Sequence, residues 1–443
     1  MKKLLYYILC FTTLSCGNGF LDVKPSSDTV VPTTLDDFQQ LLDAGVLKYA
    51  PELLEILADD YYLEKTYWES LSSFNPIVAN THVWADDIYQ TEENEIYGWN
   101  ALYEQILYAN VVLDGIEKFD VTSKNQVFYN HIKGSALFVR AMALHYLVQL
   151  YSPAYHPVNS VSDLGIPVPL SSDVNEKVKR ESVEVCYSRI VNDLNTASSL
   201  LRDEVDFGRP SKAAAFALLA RVYLMMGNYE SALEAADNTL LLYNDLTDLN
   251  SSSMRNYRKS IYFNLLTPAT IIRNNRNTTL INNQLYDYYV DSDLRKLAYF
   301  STGANGIKFK KDFFGLTTYC FGGLDTDEQY LIKAECEARL NKTDKAMETL
   351  NYLLKHMFSN YMNKTVTSKE QALELILQER RKQLVFRGVR WSDLKRLNRD
   401  GANITLTRVL GDETYTLPPN SPKWQMPIPA NEIKTSGILQ NER

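Results

Sequence analysis

Between residues 211 and 243 small and aromatic residues recur at helical spacing on either side of one glycine. Phe216, Leu219, Ala220 and Tyr223 precede Gly227, and Tyr229, Ala232, Leu233, Ala236 and Leu240 follow it. Steps of three and four place each set on one face of a helix. Ala220 and Ala232 carry no bulk where two such helices would cross, so the pair can lie close and antiparallel. Gly227 fits the left-handed turn that ends the first helix, a conformation other residues resist. The order aromatic, Leu-Ala, Tyr, Gly, Tyr, Ala has the small and large pattern of a tetratricopeptide hairpin. Such a hairpin cannot bury its apolar face alone, so the chain should hold others.

A shift of 114 residues lays Tyr330 on Phe216, Ala334 on Ala220, Asn341 on Gly227, Ala346 on Ala232, Met347 on Leu233 and Leu350 on Ala236. Asparagine substitutes for glycine at helix ends, so the turn survives. A third pair is split. Ala136, Ala143 and Leu147 mark a helix over 134–151, a second is expected over 182–201, and a Pro, Ser and Asp-rich stretch separates them. A stripe of Tyr97, Leu102, Tyr103, Ile106, Ala109, Asn110, Leu113 and Ile116 predicts an earlier helix from Glu92 that packs on the one at 134. The expected class is mainly α, an α-α superhelix of tetratricopeptide-like hairpins around 92–151, 182–243 and 327–358.

The ends read differently. Lys2 and Lys3, the apolar run 4–11 and small polar residues before Cys16 have the order of a secretory leader, too short to span a bilayer as an anchor. Residues 13–16, Thr-Leu-Ser-Cys, resemble a bacterial lipoprotein cleavage box with its leucine one place late. The expectation is a signal peptide over 1–15 and a lipidated tether over 16–33, acylated at Cys16. One acyl chain binds a membrane only marginally, so two or three would serve as the anchor. Thr34 with Asp37 three places on opens a helix as an N-cap. Helices are expected again over 368–399, and a proline-bearing tail from 420 should wrap over the surface.

The formal net charge of −8 argues against a nucleic-acid partner, since phosphate needs a basic surface. Cys186, Cys320 and Cys336 form no CxxC pair, which leaves zinc and redox motifs without support. Eight basic residues crowd into 380–399, among them Arg380, Arg387, Arg390 and Arg396. They read as a helical face that pairs with Glu379 and Asp393 while Trp391, Leu394 and Leu397 turn inward.

Tyrosine is abundant, 29 residues against 17 phenylalanines, and many lie outside the helical stripes. Two loop-rich regions, 49–94 and 244–323, carry them together with Asp and Asn. A pyranose offers an apolar face that stacks on an aromatic ring and hydroxyls that need carboxylates and amides. Trp68 and Trp84 among aspartates, and Tyr299 and Tyr319 among Asn and Gly, are therefore the ligand-binding candidates. The same loop oxygens have the chemistry for a structural Ca²⁺, but no EF-hand spacing is present. No cofactor is expected.

Residues 379–396, Glu-Arg-Arg-Lys-Gln-Leu-Val-Phe-Arg-Gly-Val-Arg-Trp-Ser-Asp-Leu-Lys-Arg, resemble the C-terminal signature of the SusD/RagB-like nutrient-binding outer-membrane lipoproteins of Bacteroidetes. Cys16 followed by residues 20–25, the Gly-Ile-Pro-Val-Pro loop at 165–169, residues 328–335 and residues 427–433 are similar to further blocks of that family. Gln383 and Arg387 stand where the family often has glutamates. The resemblance implies a single unit over 34–443, lipid-anchored at the cell surface, that binds an oligosaccharide or other nutrient without chemistry. It also implies a SusC-like TonB-dependent transporter as partner.

Enzyme motifs are absent: no GxSxG elbow, Walker loop, HExxH or dinucleotide fingerprint occurs, and the five histidines are scattered. A glycoside hydrolase needs only two suitably separated carboxylates, which spacing alone does not exclude. A tetratricopeptide-type protein-docking scaffold is the other alternative.

Overall fold

A computed structural model describes residues 32–89, 97–205, 208–251, 261–268, 279–310 and 319–443. The leader, Cys16, the tether as far as residue 31, the helix onset at Glu92 and most of the asparagine-rich run from Arg273 lie outside the described residues. Short helices come first: α1 (Leu35–Leu42), α2 (Leu53–Leu57), α3 (Lys65–Phe74) and α4 (Pro76–His82). Long ones follow, α5 (Tyr97–Ile116), α6 (Gln126–Tyr151), α7 (Val183–Leu200), α8 (Lys212–Met226) and α9 (Tyr229–Leu242). Beyond α10 (Asn283–Asp287) and α11 (Leu294–Tyr299) lie α12 (Thr326–Arg339), α13 (Thr343–Leu354), α14 (Lys369–Gln383), α15 (Arg390–Arg399) and α16 (Ala430–Ser436). The protein is mainly helical, as the alanine-bearing hairpins predict.

Each long helix packs on the next. Helix α5 lies against α6, α6 against α7, α7 against α8 and α8 against α9; α9 then meets α12, which packs on both α13 and α14. The two hairpins aligned by sequence share one turn geometry. Ser211 accepts from the Ala214 N–H at 3.2 Å to start α8. Gly227 ends it at φ +77°, with the Asn228 N–H returning to the Tyr223 carbonyl at 3.0 Å. In the second copy Asn341 takes φ +62°, and the Lys342 N–H returns to the Glu337 carbonyl at 2.8 Å. This closure satisfies carbonyls that a helix end would otherwise leave unpaired. Ala220, Ala232, Ala334 and Ala346 are all fully buried, as close helix crossing requires.

The region 244–323, expected to be mostly loop, contains short strands and the helices α10 and α11 in its described stretches 261–268, 279–310 and 319–323, and the region 49–94, also expected to be loop-rich, carries α2, α3 and α4. Strand β1 (Tyr61–Leu63) pairs with β6 (Thr279–Ile281) in antiparallel register, Tyr62 opposite Leu280. In the same region β5 (Leu266–Pro268) pairs with β9 (Tyr319–Phe321) and β7 (Phe300–Gly303) with β8 (Gly306–Phe309). Strand β2 (Leu164–Pro167) pairs with β3 (Arg180–Ser182) and β4 (Ile261–Phe263) with β10 (Leu324–Asp325), and a further hairpin joins β11 (Leu406–Leu410) to β12 (Glu413–Leu417) around Gly411 at φ +64°.

The charged stretch at 380–399 pairs as expected but lies inside. Arg221 of α8 reaches Glu328 of α12 at 2.5 Å, and Glu328 lies 3.3 Å from Arg380 of α14. Arg380 reaches Asp393 at 2.9 Å, Asp393 lies 2.8 Å from Arg396, and Arg396 reaches Glu335 at 2.6 Å. All six side chains are buried. Burial alone would raise the Glu335 carboxyl, but Arg396 and then Arg339 hold it down to about 2. Gln383 and Arg387 are absorbed into the same interior: Gln383 donates to Asp327 at 2.6 Å and accepts from Arg295 at 2.9 Å, and Arg387 pairs with Asp325 at 2.5 Å. The ionic chain fastens the hairpin array to the C-terminal helices.

The tail goes deeper than a surface wrap. Trp424 stacks on Trp391 at 4.6 Å, Met426 and Ile428 are buried, and the Met426 N–H donates to Leu150 at the end of α6.

Candidate functional site

An open cleft of about 320 Å³ lies beside β1, lined by Asp59, Tyr61, Tyr62, Trp84, Asn282, Asn283, Thr407, Arg408 and Val409. That volume is at the low end for a small-ligand pocket. Strand alternation sorts the lining. In β1, Tyr61 and Leu63 point into the core while Tyr62 stays 36% exposed. In β11, Leu406, Arg408 and Leu410 are inside and Thr407 and Val409 outside. Asn282 caps α10, accepting from the Gln284 N–H at 2.9 Å, and its amide donates to the Asp59 carbonyl at 2.9 Å. That bond fixes the α10 end of the cleft to the start of β1 and leaves Asn283 exposed beside it.

Three guanidinium groups stand at this end of the molecule. Arg390 grips Asp59 through both nitrogens, at 2.7 and 2.9 Å, and Arg381 reaches Asp59 at 3.2 Å and Asp60 at 2.8 Å. Burial opposes ionisation of Asp59, yet Arg390 and then Arg381 hold it well below the usual carboxylate range. Burial dominates at Asp60 and raises it. Arg408 donates to the carbonyls of Ile56 at 2.9 Å and Ala58 at 2.6 Å, at the end of α2, and its guanidinium lies 4.8 Å from the Trp84 ring centre.

Of the four aromatics chosen from sequence, Trp84 alone lines the cleft. It sits at φ +51° and is 2% exposed, with its ring nitrogen on the Leu57 carbonyl at 3.3 Å, so it forms floor and presents no open stacking face. Tyr299 is 1% exposed and packs edge-on against Phe300 at 6.0 Å, which likewise closes its faces. Trp68 is half-buried on α3, its ring nitrogen on the Ala79 carbonyl at 3.0 Å and its ring 6.2 Å from Tyr415. Tyr319 is half-buried on β9 and lies 5.8 Å from Tyr49, itself 38% exposed. The structure therefore brings Trp84 to the cleft and leaves the other three elsewhere. Tyr62, Asn283, Thr407 and Arg408 are among the lining residues that were not chosen from sequence; the alternation of residues 406–410 and 413–417 about Gly411-Asp412 is the signal that would have found the last two.

Among the described residues no cluster of three or more His, Cys, Asp or Glu could hold a metal, and no helix is long and apolar enough to cross a membrane.

Residues 19–224 match the family described as "Starch-binding associating with outer membrane", and residues 328–442 match the family described as "SusD family". A SusD-like protein of Bacteroides ovatus is 26% identical over 232 residues, 49% of this chain; the match spans only 38% of that relative's length. Among solved structures, a SusD superfamily protein of Bacteroides thetaiotaomicron superposes with a TM-score of 0.74 at 22% identity, covering 93% of this chain and all of the other. A laminarin binding SusD-like protein superposes at 0.66 and 16% identity, covering 92% of this chain and 98% of the other. At these identities the structural likeness speaks for the fold. The two sequence matches, the shared helical architecture and the C-terminal signature agree that the chain belongs to the SusD/RagB family.

Proposed function

We propose that this protein is a cell-surface glycan-binding lipoprotein, anchored to the outer membrane through Cys16 and a tether over 16–33. In this reading it passes an oligosaccharide to a SusC-like TonB-dependent transporter. The observation that carries the proposal is the cleft itself. A half-open tyrosine, Tyr62, stands beside an exposed amide, Asn283, an exposed hydroxyl, Thr407, and an ionised carboxylate, Asp59. Stacking surface and hydroxyl partners are what a sugar ring needs. Trp84 backs the floor. The family match and the fold shared with a laminarin binding protein support the same reading.

The cleft favours binding over hydrolysis. Asp59 is its one lining acid among the described residues, and Arg390 holds that carboxylate bidentately, whereas glycosidases use two carboxyl groups, one of them kept protonated. A glycan array followed by calorimetry tests the proposal. Saturable binding that falls at least tenfold in Tyr62→Ala, with no release of reducing ends, is expected. Sustained turnover, lost on Asp59→Asn, would make the protein a hydrolase.

A further inference from the structure

We propose that the cleft selects a sugar carrying an anionic group, a carboxylate or a sulfate ester, and that Arg408 supplies the attraction. The inference rests on the glycan-binding reading above. Arg408 comes from the inward face of β11 and is 4% exposed, yet among the described residues no carboxylate lies within ion-pair distance of it. A buried charge without a counter-ion is costly and is seldom kept without compensation. Here the partners are neutral: the carbonyls of Ile56 and Ala58, the His82 ring, and the faces of Trp84 at 4.8 Å and Tyr61 at 5.1 Å. Burial, and then Arg408 itself, push His82 well below its ordinary range, so it stays uncharged and leaves the cation in place.

The acids nearby are already engaged. Asp59 is held by Arg390 and Arg381, and Asp60 by Arg381. Asp59 and Asp60 are thus shared between Arg390 and Arg381, and Arg408, the one cation that lines the cleft among the described residues, has no ion pair with either. Clefts with low-dielectric walls focus the field of such a charge on whatever enters. Rings and carbonyls hold the guanidinium in place, so it cannot turn away to find another anion, and an acidic sugar stacked on Tyr62 would enter beside it.

Calorimetry on the full mature protein decides the matter, using oligogalacturonides, sulfated galactan oligosaccharides and neutral galacto-oligosaccharides of equal length. Expected is at least a tenfold preference for one acidic series, with that preference collapsing in high salt and in Arg408→Gln but persisting in Arg408→Lys. The two acidic arms distinguish carboxylate from sulfate. If Arg408→Gln does not fold, the salt dependence of the native protein still gives the answer. Binding of neutral sugars that is lost in Tyr62→Ala, with no preference for acid, would overturn this inference and leave the glycan-binding reading intact. Failure of every sugar to bind in the cleft would overturn both.

Discussion

Glu55 sits where an ionised carboxyl is costly. Burial, the dominant cause, pushes it up to about 8, against the partial relief of the Gly388 N–H, and Asp60 and Glu52 push the same way. The folded protein therefore keeps a proton that the unfolded chain, with an ordinary value of 4.5, gives up. Below pH 4.5 both states hold it; as pH rises toward 8 only the folded state does, so stability falls across that window by roughly 1.4 kcal/mol per pH unit. Glu55→Gln should flatten this slope, matching the native protein near pH 4 and melting at higher temperature near pH 8. Thermal unfolding at the two pH values checks the sign. No pattern in the sequence marks this residue, because its environment comes from Gly388, far along the chain.

At the scale of elements, the two hairpin turns make unlike demands of one geometry. Gly227 pays no steric penalty at φ +77°, whereas a Cβ there would be strained and would meet the Arg399 guanidinium at 3.2 Å. Gly227→Ala should cost about 1 kcal/mol or more, and Asn341→Gly, at φ +62°, should be close to neutral. Denaturant midpoints of the two variants test the contrast. A larger loss is expected within the ionic chain. Glu335→Gln would leave Arg396 and Arg339 short of a buried counter-charge, for about 3 to 5 kcal/mol by comparison with other broken buried pairs. The hairpins were legible in sequence because alanine and glycine at crossings and turns are local requirements. The depth of the charged helices was not, since i,i+3 and i,i+4 pairing looks the same on a surface as in an interior.

Across the whole molecule, an array of paired helices carries a cleft built from segments far apart in the chain: 59–62, 84, 282–283 and 407–409. The two loop-rich regions singled out from sequence, 49–94 and 244–323, contain the first three of these segments, and the fourth lies outside both. Sequence reasoning chose Trp84 and Tyr299 because they lie outside helical stripes, but Trp84 follows just after α4 and Tyr299 ends α11, and both rings are buried. Tyr62 is distinguished from Tyr61 only by the alternation of a three-residue strand whose partner, β6, lies more than 200 residues away. Hydrogen exchange of the mature protein, with and without a bound oligosaccharide, tests most directly where the ligand sits. Slowed exchange confined to 59–62, 84–85, 282–285 and 406–410 is the expected result; protection spread instead along α8, α9, α12 and α13, with those segments unchanged, would contradict the account and mark the helical array as the binding surface.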